Sequence, residues 1–167
     1  MAQMDFIVRE VREGDAESCM ALFNAIIEEG KYTALTEPFT VEKQLDLIHL
    51  CLSKGTYQVA VTTDDRVVGI QVVLPLSELP AFSHVGDIGT YVDTSAHRQG
   101  VARALSEATF RNAKEKGFTK IMAMIRGDNL RAQAFYESIG FEPIGVAKRQ
   151  ARIRGEFFDE MLNEKFL

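Results

Sequence analysis

Cysteine, histidine and proline are scarce in this chain, and no long apolar run occurs in it. Its 167 residues include two cysteines, three histidines and four prolines. Cys19 and Cys51 each fall within a helical pattern, which reads as two buried free thiols in a reducing cytoplasm. His49, His84 and His97 are scattered, none at ligand spacing from a cysteine or another histidine, so no metal site is expected. No segment approaches the roughly 18 apolar residues of a membrane span, and the opening MAQMDFIVRE has no apolar core of signal-peptide length. A cytoplasmic protein with no membrane partner is therefore expected. A surplus of positive charge is missing too. The net charge of −5 argues against a general binder of nucleic acid or anionic membrane. It suits either a cationic partner or a plainly solvated acidic surface. Repeats, linkers and low-complexity tracts are absent, so residues 1–167 read as a single domain.

What is present is an ordinary globular composition, 46% hydrophobic and 26% charged, arranged in alternating periods. Phe6–Val11 reads as a first strand. Asp15 is expected to cap a helix whose apolar positions, Ala16, Cys19/Met20, Phe23 and Ile26/Ile27, recur at helical spacing up to Gly30. Thr40 can cap a second helix with Val41, Leu45, Ile48 and Leu52 on one face, ending at Gly55. The β-rich runs TYQVAVTT and VVGIQVVL flank a short turn at Asp64–Arg66. His84–Asp93 reads as a strand with two glycines, Gly86 and Gly89, which mark either a bulge or the close approach of another backbone. A helix follows from about Gly100 to Lys116, then a strand at Thr119–Ile125. Next comes a helix from Leu130 to Ile139, with Leu130, Ala134 and Ile139 as its core stripe. Two strands around Arg154-Gly155 finish the chain. The order β-α-α-β-β-β-α-β-α-β-β describes a mixed α/β fold, one sheet with helices packed across it. Its parallel pair, from His84 to Ile125, is expected to be joined by a right-handed crossover.

The segment AHRQGVARAL draws attention because a glycine inside a helix costs roughly 1 kcal/mol relative to alanine. Gly100 can serve tight helix–strand packing, or it can open the helix N-terminus to an anion held by exposed N–H donors. Its place just after a strand favours a ligand, since open α/β sheets bind there. The G-x-G-x-x-G spacing of a dinucleotide fingerprint is absent, and no Gly-Lys-Ser/Thr follows as in a P-loop.

His97-Arg98-Gln99-Gly100-Val101-Ala102 resembles the Q/R-x-x-G-x-G/A pyrophosphate loop of the GNAT superfamily of acyl-CoA-dependent N-acetyltransferases, with His97 at the usual Arg or Gln position. Asn129–Phe141, NLRAQAFYESIGF, is similar to that family's second signature, and the terminal GEFFDEMLNEKFL looks like its closing strand. The resemblance implies a central, mostly antiparallel sheet with one splayed parallel strand pair and helices on both faces. It implies acetyl-CoA as co-substrate, with no metal, bound by Tyr91, Val92, His97, Arg98, Gln99, Gly100, Val101, Ala102, Arg103, Asn129 and Phe135. The N–H near Val92 would hold the thioester carbonyl. Asn129 would contact a cofactor amide or simply cap its helix. Tyr136 would be the general acid or a packing residue. Asp87 and Glu37 are the candidate bases, and each also reads as an ordinary surface charge. The implied activity is acetyl transfer to a primary amine, small and amino-acid-like or cationic, by direct attack in a ternary complex. The alternatives are a peptide or protein amine as acceptor, or a non-catalytic acyl-CoA-binding sensor. Lys31–Phe39 and Pro75–Phe82 are expected to line the acceptor side, and a homodimer is left open.

Overall fold

The computed structural model describes residues 4–167. Its elements follow the order that the sequence periods give: β1 (Phe6–Glu10), α1 (Ala16–Glu29), α2 (Val41–Lys54), β2 (Thr56–Thr62), β3 (Val67–Pro75), β4 (Val85–Val92), α3 (Val101–Glu115), β5 (Lys120–Arg126), α4 (Leu130–Ser138), β6 (Glu142–Ile153) and β7 (Glu156–Phe166). Local chemistry explains most boundaries. Thr40 Oγ1 accepts from the Lys43 N–H at 3.2 Å and starts α2. Gly30, at φ 67, ends α1 by turning its N–H to the Ile26 carbonyl. Asp15 does not cap α1 as expected. Its carboxylate is taken by the Arg9 guanidinium at 2.7 and 2.8 Å and by the Arg12 N–H at 2.7 Å, within a short 3-10 turn.

The seven strands form one sheet in the order β1-β2-β3-β4-β5-β7-β6. Every neighbouring pair is antiparallel except β4 and β5. That parallel pair spans only Val85–Asp87 against Lys120–Met122, after which the strands part. β5 goes on pairing with β7 as far as Arg126, and β4 goes on pairing with β3 as far as Val92. A gap therefore opens in the middle of the sheet, bounded by two strands that are each anchored on their outer side.

α1 and α2 cover one face, packing on Tyr57, Val59 and Ile70. α3 covers the other, with Val101 and Leu105 against Ala60 and Val68. The close approach of α3 is made possible by Gly69, where an added Cβ would lie 2.6 Å from Val101 Cγ1. The glycine that serves helix–strand packing is thus on β3 and not at Gly100. Neither glycine of β4 marks a bulge, because the β3–β4 register runs through both without a shift. No other backbone closes on Gly86 either: what comes close is side chains, an added Cβ lying 2.5 Å from Val73 Cγ1 and 3.3 Å from Phe118 Cδ1. Of the stripe expected on the last helix, Ile139 packs against the core, but Leu130 is 72% exposed and Ala134 is exposed, and α4 buries Tyr136 instead. Cys19 and Cys51 are buried free thiols, as the sequence suggests.

Gly69→Val should lower the unfolding free energy in urea by about 1–3 kcal/mol, the usual cost of overpacking. Gly145→Val, where nothing lies within 4 Å of the added carbon, should change it by no more than about 0.5 kcal/mol. Equal effects at the two positions would contradict the packing just described.

Candidate active site

Antiparallel pairing turns the main-chain groups of alternate residues to opposite sides of a strand. The Leu76 N–H bonds the Val85 carbonyl and the Asp93 N–H bonds the Val68 carbonyl, both at 2.9 Å. Odd-numbered residues of β4 therefore face β3, and even-numbered ones face the other way. Below Asp87 the latter meet β5. Above it, the N–H groups of Thr90 and Val92 are directed into the gap, where no strand stands opposite.

The first turn of α3 opens beside this edge. Gly100 lies just outside the helix at φ 81, a conformation that favours glycine. An added Cβ would touch nothing there, so the glycine supplies backbone geometry and not room. No side chain caps α3 and its first turn has no acidic residue. The Ala104 N–H reaches the Gly100 carbonyl, and the preceding N–H groups of Val101, Ala102 and Arg103 are left with no acceptor inside the helix.

His97 joins the two halves of this corner. Arg131 Nη1 lies 2.8 Å from His97 Nδ1, and a guanidinium can only donate. Nδ1 is therefore the acceptor, and Nε2 carries the proton it gives to the Val92 carbonyl at 3.2 Å. Burial and the Arg131 charge both hold the imidazole pKa below its ordinary value, which keeps this tautomer neutral.

The cleft formed by the gap and the α3 mouth has a volume of about 940 Å³. Its two sides differ because side chains alternate across a strand. Asp87 is paired with Met122, and Arg126 with Glu160, which sets Asp87, Arg126 and Glu160 on the α1/α2 face. Tyr91 shares that face, its ring edge-on to Phe23 at 4.7 Å. Burial, reinforced by the negative charge of Glu160, raises the Asp87 carboxyl to about 6. Burial and Asp87 raise the Tyr91 phenol to about 12. On the α3/α4 face, Tyr136 is buried between Phe135 and Phe141, and its hydroxyl lies 2.7 Å from Thr90 Oγ1. Burial raises its pKa as well, so the phenol holds its proton at neutral pH.

Most of the residues singled out in the sequence converge here. His97, Arg98, Gly100, Val101, Ala102, Arg103, Asn129, Phe135, Tyr136, Tyr91, Val92 and Asp87 all line the cleft, as does the segment 31–35. Asn129 caps α4, its Oδ1 accepting from the Ala132 N–H at 3.1 Å. Three of the expected residues and segments stand off the lining. Glu37 stands outside the cleft, 83% exposed and 3.6 Å from Lys43. Gln99 turns its Oε1 away to the Met4 N–H. The loop Pro75–Phe82 lies off the lining, with Glu78 paired to Lys54 at 3.0 Å. Glu160, Arg126, Arg131 and Thr90 line the cleft without having been picked from the sequence. Thr90 sits one residue from Tyr91 and Arg131 sits within the second signature, but Glu160 becomes visible only through its register with Arg126. Arg126 is nearly buried, clasped by Asp128 at 2.7 and 3.0 Å and stacked on Phe158 at 3.9 Å.

No group of three or more His, Cys, Asp or Glu side chains among the described residues is arranged to hold a metal. Among those residues, no helix is long and apolar enough to cross a membrane. A phosphinothricin N-acetyltransferase of Streptomyces coelicolor is 24% identical over 155 residues, covering 91% of each chain. An L-amino acid N-acetyltransferase of Escherichia coli is 31% identical over 106 residues, covering 63% of this chain and 65% of that one. The solved structure of a ribosomal-protein-alanine N-acetyltransferase from Brucella melitensis matches with a TM-score of 0.90 at 23% identity, over 96% of this chain and 99% of the other, a likeness of fold. The profile of the acetyltransferase (GNAT) family matches residues 20–141. With that match running through both the cleft and the sheet that splays to form it, the chain belongs to the GNAT family and is an N-acetyltransferase that draws its acetyl group from acetyl-CoA.

Proposed function

We propose that this cleft passes the acetyl group directly to a small primary amine of amino-acid size, cationic or zwitterionic, held together with acetyl-CoA. The observation that carries the reading is the meeting of Asp87 and Tyr136 at one gap from opposite faces of the sheet. One group can take a proton from an amine arriving on its side, and the other can give one to a thiolate leaving on its own. The acidic pair Asp87 and Glu160 favours a positively charged acceptor. The segment Lys31–Leu35 encloses that side and suits a small one. Relatives named for phosphinothricin and L-amino acids support the same size class.

Acetyl-CoA supplies the acetyl group as a thioester. The N–H groups of Val101, Ala102 and Arg103 take its pyrophosphate, as helix N-termini do, with Arg98 and Arg103 adding side-chain charge. Asn129 offers its Nδ2 to an amide of the co-substrate, and Phe135 packs beside it. The Val92 N–H donates to the thioester oxygen as negative charge grows there. Asp87 relieves the amine of its proton, directly or through water. An alkyl amine with a pKa near 10.4 is mostly protonated at neutral pH, so the lone pair must be freed. The nitrogen then bonds to the carbonyl carbon, the C–S bond breaks, Tyr136 gives its phenolic proton to the sulfur, and the second proton leaves the nitrogen for water as the amide forms. Holding both reactants in one cleft removes the entropy cost of their collision from the chemical step.

Four outcomes test this reading. Tyr136→Phe should lower kcat by roughly 10²–10⁴-fold while the acetyl-CoA affinity stays within about twofold. Turnover at the parent rate would remove the tyrosine from the mechanism. Gly100→Val should weaken acetyl-CoA binding in calorimetry while leaving the circular dichroism spectrum intact, because a β-branched side chain resists the left-handed backbone that presents the N–H donors. Unchanged affinity would contradict the assignment of the helix mouth.

The third outcome concerns pH. Asp87 must be ionised to act, so acceptor kcat/KM should fall as the pH drops through about 6. Asp87→Asn should remove that inflection and lower the rate, and Glu37→Gln should leave the profile as it is. An unaltered acid limb in Asp87→Asn would contradict the role of the carboxylate. Amino acids should outrun peptides and proteins in a panel of amines read by release of free thiol. The reverse ranking would favour a peptide acceptor, and no turnover with any amine would leave a sensor.

A further inference from the structure

VVGIQVVL places a glutamine in the middle of a strand that is buried on both faces, and nothing in the chemistry above uses it. Gln71 is fully buried on β3. Its Nε2 donates to Thr90 Oγ1 at 2.9 Å and to Ser106 Oγ at 3.0 Å, while its Oε1 has no partner. The orientation of the amide follows from the hydroxyls. Ser106 on α3 spends its single proton on the Ala102 carbonyl at 2.8 Å, so its oxygen can only accept from Gln71. The nitrogen must therefore face the two hydroxyls, even though that leaves the amide oxygen buried without a bond, an arrangement that costs free energy.

We infer that Gln71 is a positioning residue for the proton on Tyr136, acting through Thr90. This rests on Tyr136 being the general acid. With one lone pair of Thr90 Oγ1 taken by the Gln71 N–H, its own O–H is polarised and points along the 2.7 Å contact to the Tyr136 oxygen. Tyr136 then accepts from Thr90, and its own proton is left to point into the cleft. When that proton passes to the departing sulfur, the electron pair stays on the phenolate oxygen, which already receives the Thr90 O–H. Solvent returns the proton once the product thiol has left. Without Gln71, Thr90 can accept from Tyr136 instead, and the acid is turned away from its task.

The test is a double-mutant cycle. Gln71→Met replaces the amide with an apolar chain of similar length, and Thr90→Val removes the hydroxyl while keeping its shape. Each should lower kcat about tenfold, the factor carried by one hydrogen bond of ordinary strength, with KM for acetyl-CoA within about twofold. In the Tyr136→Phe background, neither change should lower the rate further, and Thr90→Ser should restore it in the parent. A merely structural role would instead lower the rate by the same factor in both backgrounds. That result, or an unchanged kcat in both single variants, would overturn the inference while leaving the general acid in place. A parent rate in Tyr136→Phe itself would instead strike the reading on which it rests.

Discussion

Three residue pairs hold β4 to β5, and the proposed chemistry depends on their stopping at Asp87 and Met122. If the ladder continued, the N–H groups of Thr90 and Val92 would be spent on β5, and the two faces of the sheet would have no common opening. The gap can persist because each strand keeps a full antiparallel partner on its outer side, β3 for one and β7 for the other. Polar side chains stand along it, Thr90, Arg126 and Glu160 among them, and solvent or an extended ligand can satisfy the unpaired backbone there. The helix mouth adds a second set of unspent donors a few residues downstream. In the proposed reaction their order along the chain sets the order of functions along the cleft: carbonyl at Val92, charge at Val101–Arg103.

Burial then sets the proton chemistry. Raising a carboxyl toward neutrality makes it a base of useful strength, and raising a phenol ensures that it still has a proton to give. Both shifts have burial as their largest cause, yet they act on opposite sides of one sheet, so in the proposed mechanism a single gap serves both roles. Glu160 extends the Asp87 effect by like charge. The corner at His97 contributes differently. Its neutral imidazole ties the Val92 carbonyl to Arg131 and so fixes the edge of β4 against the first turn of α4, which lets a histidine stand where the family pattern has Arg or Gln.

Element order, the sheet's class and the position of the α3 mouth were legible in the sequence because each rests on local signals. Periodicity gave the helices and strands, and Gly100 with its neighbours gave the helix mouth. The acceptor side was less legible, because it is assembled by register and loop path. Glu37 follows closely on Leu35, which lines the cleft, yet its side chain is turned out to Lys43. Glu160 is distant in sequence and is brought in by one cross-strand pair. Leu130 fitted the helical stripe on hydropathy alone, and Tyr136 took the buried position because the neighbouring Phe141 and the Thr90 hydroxyl offer it both an apolar seat and a hydrogen bond. Gln71 was visible as a polar residue within an apolar run, but what it bonds could not be read without α3 and β4 in place.

Amide hydrogen exchange with and without acetyl-CoA addresses the central claim most directly, because it reads the very donors on which the account relies. Protection should rise at Thr90, Val92 and Val101–Arg103, while the β6–β7 hairpin exchanges as before. Bound acetyl-CoA that left those five amides unchanged and protected another surface would contradict the account.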